Sequence, residues 1–222
     1  MSRAGNKVRA AAMLALLMLG ATAAQADARQ AGATLYWDAT WAQYQIVDAL
    51  PLRVAGLVSV TRELAIDIKA PREAVFDIYS NVYNALGRHS FLREIIAIRC
   101  GANSFDFTAV EDVPFSGVVL PLRTVSQQVF HRPDFYTADT YDRPTTITHQ
   151  TITFTALSPT TTRVIESLTF ESSPLLINTA VSGGVEAHTA VQQSLKAAIE
   201  AGELVPVPFP DDLPIACSSA AP

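Results

Sequence analysis

The last helical run of the chain limits what everything before it can build. Between Leu175 and Glu203 the larger apolar residues Val191, Leu195 and Ile199 recur every four, which marks one buried stripe on a helix. Gly202 stands where a helix ends. From Val58 to Phe170 the residues read as strands and one short helical pair, so this is the only helix long enough to cover a large sheet. The expected arrangement is a sheet wrapped around it.

The strands follow from alternation and turn residues. Val58, Val60, Arg62, Leu64, Ile66 and Ile68 share one face of a half-buried strand running to Lys69. Pro71 opens a short helix through Tyr79 that Asn81 breaks, and Val82 to Arg88 forms a second helical or turn segment before the strand Glu94 to Cys100. Turn residues then bound Phe105 to Val113, Val118 to His131, Phe135 to Asp142, Thr145 to Leu157 and Thr162 to Glu171, all rich in β-branched and aromatic residues. This order predicts one α+β domain with an antiparallel sheet.

The N-terminal segment 1–26 reads as a signal peptide rather than fold. Arg3, Lys7 and Arg9 form a basic start, Ala11 to Ala21 is a short apolar stretch, and Ala24-Gln25-Ala26 is a small-x-small cleavage site. The exported chain would begin at Asp27, in the periplasm or outside the cell. Of 16 basic residues, removing these three leaves 13 against 21 acidic ones, a net charge of about −8. Such a chain avoids nucleic acid, and no stable membrane insertion of the mature form is expected. Residues 27–57 form an extension, in which Asp27 to Thr34 reads as a frayed terminus and Trp37, Trp41 and Tyr44 fall at helical spacing to pack on the body. Residues 58–203 form the main domain, and 204–222 a Pro-rich tail expected to run extended over the surface. Cys100 and Cys217 would share an oxidising compartment, where a disulfide between them or two free thiols are both allowed.

The run Ile66-Asp67-Ile68-Lys69-Ala70-Pro71-Arg72-Glu73-Ala74-Val75-Phe76-Asp77-Ile78-Tyr79 resembles the entry strand and first helix of the START-like, helix-grip (SRPBCC) superfamily. The Thr162-Arg163-Val164-Ile165-Glu166 strand and the His188 to Gly202 helix are similar to its closing elements. The resemblance spans Val58 to Gly202 and implies a curved antiparallel sheet gripping the C-terminal helix over a cavity for an apolar molecule. It also implies that Arg88 and His89 stand at a mobile entrance. Carriers, cyclases and dehydratases share this scaffold, so function rests on individual residues. The chain departs from the pattern in its export signal, its extension and the pair Gly183-Gly184, which at about 1 kcal/mol per glycine predicts a kink or hinge in the long helix.

Strand parity nominates the inward residues. Val164, Glu166, Leu168 and Phe170 share a face, so Glu166 is a carboxyl among apolar neighbours, expected to have a raised pKa and to act as acid or base. His188, three residues before Val191, faces the same space; His89, His131 and His149 complete the histidines, none at a metal spacing, so no metal or cofactor is expected. Two functions follow from these residues. The first is an exported binding protein for a hydrophobic small molecule or lipid, with Arg88, His89, Arg123, Tyr136, Tyr141, His149, Val164, Leu168, Phe170 and Val191 at the ligand. The alternative is a cofactor-independent enzyme of the polyketide cyclase or dehydratase kind, a lyase or isomerase, in which Glu166 or His188 moves a proton and Tyr136, Tyr141 or Arg123 steadies an oxyanion. Neither oligomeric state nor ligand identity is legible at this level.

Overall fold

The computed structural model describes residues 3–115, 117–143, 146–207 and 209. Two helices, α1 (Arg3–Asp48) and α2 (Leu52–Ala55), precede β1 (Val58–Ile68). Helix α3 (Arg72–Ser80) and a 3-10 turn (Val82–Ala85) lead into six successive strands: β2 (Leu92–Cys100), β3 (Ser104–Phe115), β4 (Val118–His131), β5 (Phe135–Asp142), β6 (Thr146–Ser158) and β7 (Thr161–Ser172). Helix α4 (Ile177–Glu200) closes the domain. All pairings are antiparallel in one seven-stranded curved sheet of order β1-β7-β6-β5-β4-β3-β2. The expected strands β4 and β5 match to the residue, because Pro133, Asp134 and Gly117 mark their ends unambiguously.

The concave face holds the main core. Val75 and Phe76 of α3, Leu195 and Ile199 of α4, and Phe105, Phe130, Ile152, Phe154 and Val164 of the sheet pack at the closed end. On β7 the expected parity appears: Val164, Glu166, Leu168 and Phe170 are buried while Arg163 is exposed. Helix α4 leans on β1 and β7, where Leu168 and Phe170 meet Ile177 and Val181.

Three expectations are corrected. Residues 27–34 are not frayed but continue α1: Ala33 is buried, Gln30 Nε2 donates to Ala97 O at 2.6 Å, and Arg29 pairs with Glu94. Ala33, Trp37, Thr40, Trp41 and Tyr44 make one helical stripe. It lies on the convex face, against Ile96, Ile98, Val125, Tyr141 and Ile147, so both faces of the sheet are covered. The alanine and threonine in that stripe carry little hydropathy, which hid its length. Second, α4 runs unbroken through Gly183 and Gly184. A Cβ on Gly184 would lie 2.6 Å from Phe170 Cζ, so this glycine serves close approach of helix to sheet rather than a hinge. Third, the tail does not simply cross the surface: Phe209 is buried among Tyr83, Phe105 and Phe130, and Arg132 donates to its carbonyl. Cys217 lies outside the described residues, and with it the proposed pair with Cys100.

Candidate functional site

Above the packed end, the concave face and α4 separate around two adjoining cavities, an outer one of about 350 Å³ and an inner one of about 140 Å³. His89, Glu111, Thr124, Thr140, Gln150 and His188 border both. Leu120, Leu122, Val113, Phe170 and Leu176 supply apolar wall at the mouth, and Phe107, Ala109, Ile152, Val191 and Leu195 further in.

At the inner wall, Glu166 is only 3% exposed and fully engaged. Its Oε1 accepts from the Tyr79 hydroxyl at 2.8 Å, and its Oε2 lies 2.9 Å from His188 Nδ1. Burial pushes this carboxyl up, but the hydrogen bond and charge of His188, together with the Tyr79 hydroxyl, outweigh it and hold the group below the ordinary carboxylate value. The expectation of a raised pKa for Glu166 is therefore corrected: apolar neighbours along its strand said nothing of partners arriving from α3 and α4. Tyr79 and Tyr136 are pushed up by burial and by the Glu166 charge, so both stay protonated donors. The contact with Glu166 engages His188 at Nδ1 and leaves Nε2 outside that bond.

His89 faces His188 edge-on, with ring centroids 6.2 Å apart. Its Nδ1 accepts from the backbone N–H groups of Phe91 and Leu92, which fixes the tautomer with Nε2 protonated. Burial and the neighbouring His188 push its pKa down to about 4, so it is neutral at physiological pH.

Opposite the histidines stand two carboxyls. Asp142 on β5 stands opposite Thr124 on β4, whose hydroxyl donates to it, and Glu111 on β3 stands opposite Leu122, two residues along β4. Burial and then the charge of Asp142 push Glu111 up to about 8, and burial raises Asp142 as well. Neither was singled out in the sequence, although parity carried the signal: Glu111 follows Phe107 and Ala109 on one face, and Asp142 follows Tyr136, Ala138 and Thr140.

The nominated residues divide by the same parity. Glu166, His188, His89, Tyr136, Phe170 and Val191 border the cavities. Tyr141, Arg123 and His149 do not; they occupy the convex face, because Tyr141 lies an odd number of residues from Tyr136, Arg123 shares the parity of Val125, and His149 that of Ile147. Tyr141 is buried beneath α1, Arg123 lies 5.2 Å above the Tyr36 ring, and His149 Nδ1 is 2.8 Å from Asp139 Oδ1. Val164 and Leu168 face inward but are consumed by packing. Arg88 donates to Asn84 O at 3.1 Å outside the cavity wall, and exposed His131 stacks on Phe135. Tertiary structure also gathers ligand-capable atoms of Asp48, His149 and Glu171 within 4.8 Å of one another, on the convex side away from the cavity.

A seven-stranded antiparallel sheet closed by a C-terminal helix over an internal cavity is the helix-grip, START-like fold. Solved structures bear this out. The chain is similar to the protein TTHA0849 from Thermus thermophilus, at TM-score 0.55 and 14% identity, over 65% of this chain and 100% of that one. It is also similar to the Zhui aromatase/cyclase from Streptomyces sp. R1128, at TM-score 0.54 and 12% identity over 67% and 100%. Norcoclaurine synthase from Thalictrum flavum matches at TM-score 0.51 and 10% identity over 67% and 98%. No family model and no curated protein matches the chain. At these identities the likeness is one of fold.

Proposed function

We propose that the protein is an exported binding protein that holds a hydrophobic small molecule between the sheet and α4. The observation that carries this reading is the pair of adjoining cavities, about 350 and 140 Å³, beside the packed core. An interior normally packs with few voids larger than a water molecule, so space of this size with apolar walls and a few convergent polar groups is what a small ligand occupies. Native mass spectrometry of the protein from its own host tests it, with a retained small molecule expected. Val191→Trp, which fills the inner cavity, should abolish saturable binding of a neutral apolar fluorescent probe while leaving the fold intact; undiminished binding by the folded variant would place the ligand elsewhere.

A second reading is favoured by the Glu166–His188 pair. A buried carboxylate that orients an imidazole leaves its far nitrogen able to take a proton from a bound molecule. In that reading the protein is a cofactor-independent lyase or isomerase in which His188 is the base, Glu166, held by the Tyr79 hydroxyl, positions it, and Tyr136 is a donor. His188→Gln would then abolish turnover of the co-purified compound while keeping its affinity within a few-fold, and Glu166→Gln would shift the pH profile. Turnover surviving in His188→Gln would exclude His188 as the base.

A further inference from the structure

We propose that this cavity takes an amphiphilic amine, whose nitrogen sits between Glu111 and Asp142 at the mouth and whose apolar body lies along the inner wall. The inference rests on the reading of the cavity as a ligand site. It follows from the sign of the polar groups that border the space. Glu111 and Asp142, on the strands either side of β4, both line the outer cavity, close enough for the charge of Asp142 to act on Glu111, and neither is paired with a lysine or arginine among the described residues. Arg143 reaches the outer cavity, but its guanidinium lies 5.7 Å from the Tyr36 ring centre, over an aromatic of the helix that covers the opposite face. His89 is neutral, and His188 is committed through Nδ1 to Glu166.

A second observation lies deeper. Gln128 borders the inner cavity at 5% exposure, and its Oε1 has no hydrogen-bond partner. A buried acceptor without a partner disfavours a ligand that brings an anion or a further acceptor beside it. Mouth and interior thus ask for the same complement: N–H or O–H groups, positive charge at the mouth, and no anion. A protonated amine supplies charge-assisted donors to both carboxyl groups and favours loss of the proton that Glu111 otherwise keeps at neutral pH. A carboxylate-headed lipid of equal length sets an anion beside the same carboxyl pair and is rejected.

Displacement of the neutral probe phenylnaphthylamine from the full exported protein at neutral pH tests this, using decylamine, decanol and decanoate as competitors of equal chain length. The expected order is amine, then alcohol, then carboxylate, with decylamine effective at about tenfold lower concentration than decanol. In Glu111→Gln the amine should lose its advantage over the alcohol, each competitor being read against the probe affinity of the same variant; Asp142→Asn gives a second route to the same loss if the first variant does not fold. Displacement by decanoate equal to that by decylamine, or an amine advantage that survives both substitutions, overturns the inference with the cavity reading intact. A probe that fails to bind wild type removes the cavity reading and this inference with it.

Discussion

Glu166 Oε2 on β7 lies 2.9 Å from Nδ1 of His188 on α4, and this bond ties the closing helix to the sheet at the level where packed core gives way to open cavity. Because the folded pKa of Glu166 is lowered, its contribution to stability is present above the ordinary carboxylate value of 4.5 and is lost as pH falls through the folded value. The thermal midpoint of wild type should therefore fall more steeply below about pH 4.5 than that of Glu166→Gln. Parallel curves for the two proteins would show that the bond to His188 does not lower this pKa.

Glu111 has the opposite sign. Its folded pKa, about 8, lies above the ordinary 4.5, so the folded state holds a proton that the unfolded chain releases between those values, and stability declines as pH rises across that window. Glu111→Gln should equal wild type at pH 4.5 and be the more stable protein above pH 8, by thermal denaturation. A variant less stable than wild type at high pH would contradict the raised pKa of Glu111.

The two glycines of α4 should respond in opposite directions. Gly183→Ala brings a Cβ to 3.8 Å from Phe91 Cε2, an ordinary contact, and should stabilise by up to about 1 kcal/mol through helix propensity. Gly184→Ala collides with the Phe170 ring and should destabilise by about 1 to 3 kcal/mol despite the same propensity gain. Urea denaturation of both variants measures this directly.

Phe209 plugs the closed end of the domain from outside the last helix. Removing that ring in Phe209→Ala should cost about 3 to 5 kcal/mol, as for other large core truncations, measured by the urea midpoint. A cost below about 1 kcal/mol would mean that the tail is not docked in solution.

Export and the cysteine pair are checked together on the secreted protein. Mass analysis should give a chain starting at Asp27, and thiol titration under denaturing, non-reducing conditions should find no free thiol from Cys100 and Cys217. A membrane-retained product retaining Met1, or two titratable thiols, would remove the respective proposal.

The elements and their order were legible because each rests on a local period. Alternation along Val164, Glu166, Leu168 and Phe170 needs no partner to be read, and neither do the recurrence of Val191, Leu195 and Ile199 or the turn residues at Arg132-Pro133-Asp134. From these an antiparallel sheet wrapped around the last helix and the inward placement of Glu166 and His188 follow, and the resemblance of the Ile66 to Tyr79 run added the helix-grip fold. What only the tertiary structure decided is what lies across each face. Central strands such as β4 and β5 carry large apolar residues on both faces, and nothing local says that Tyr136 meets the cavity while Tyr141 meets Trp37, Trp41 and Tyr44 of α1. The pairing of Glu111 with Asp142 across an intervening strand, and the arrival of Tyr79 and His188 at Glu166 from two helices, join residues far apart in the chain. Charge state depends on such neighbours through distance and burial, so the residue that parity placed correctly acquired its chemistry, an ionised carboxylate orienting a histidine, only from the packing of α3 and α4 against the sheet.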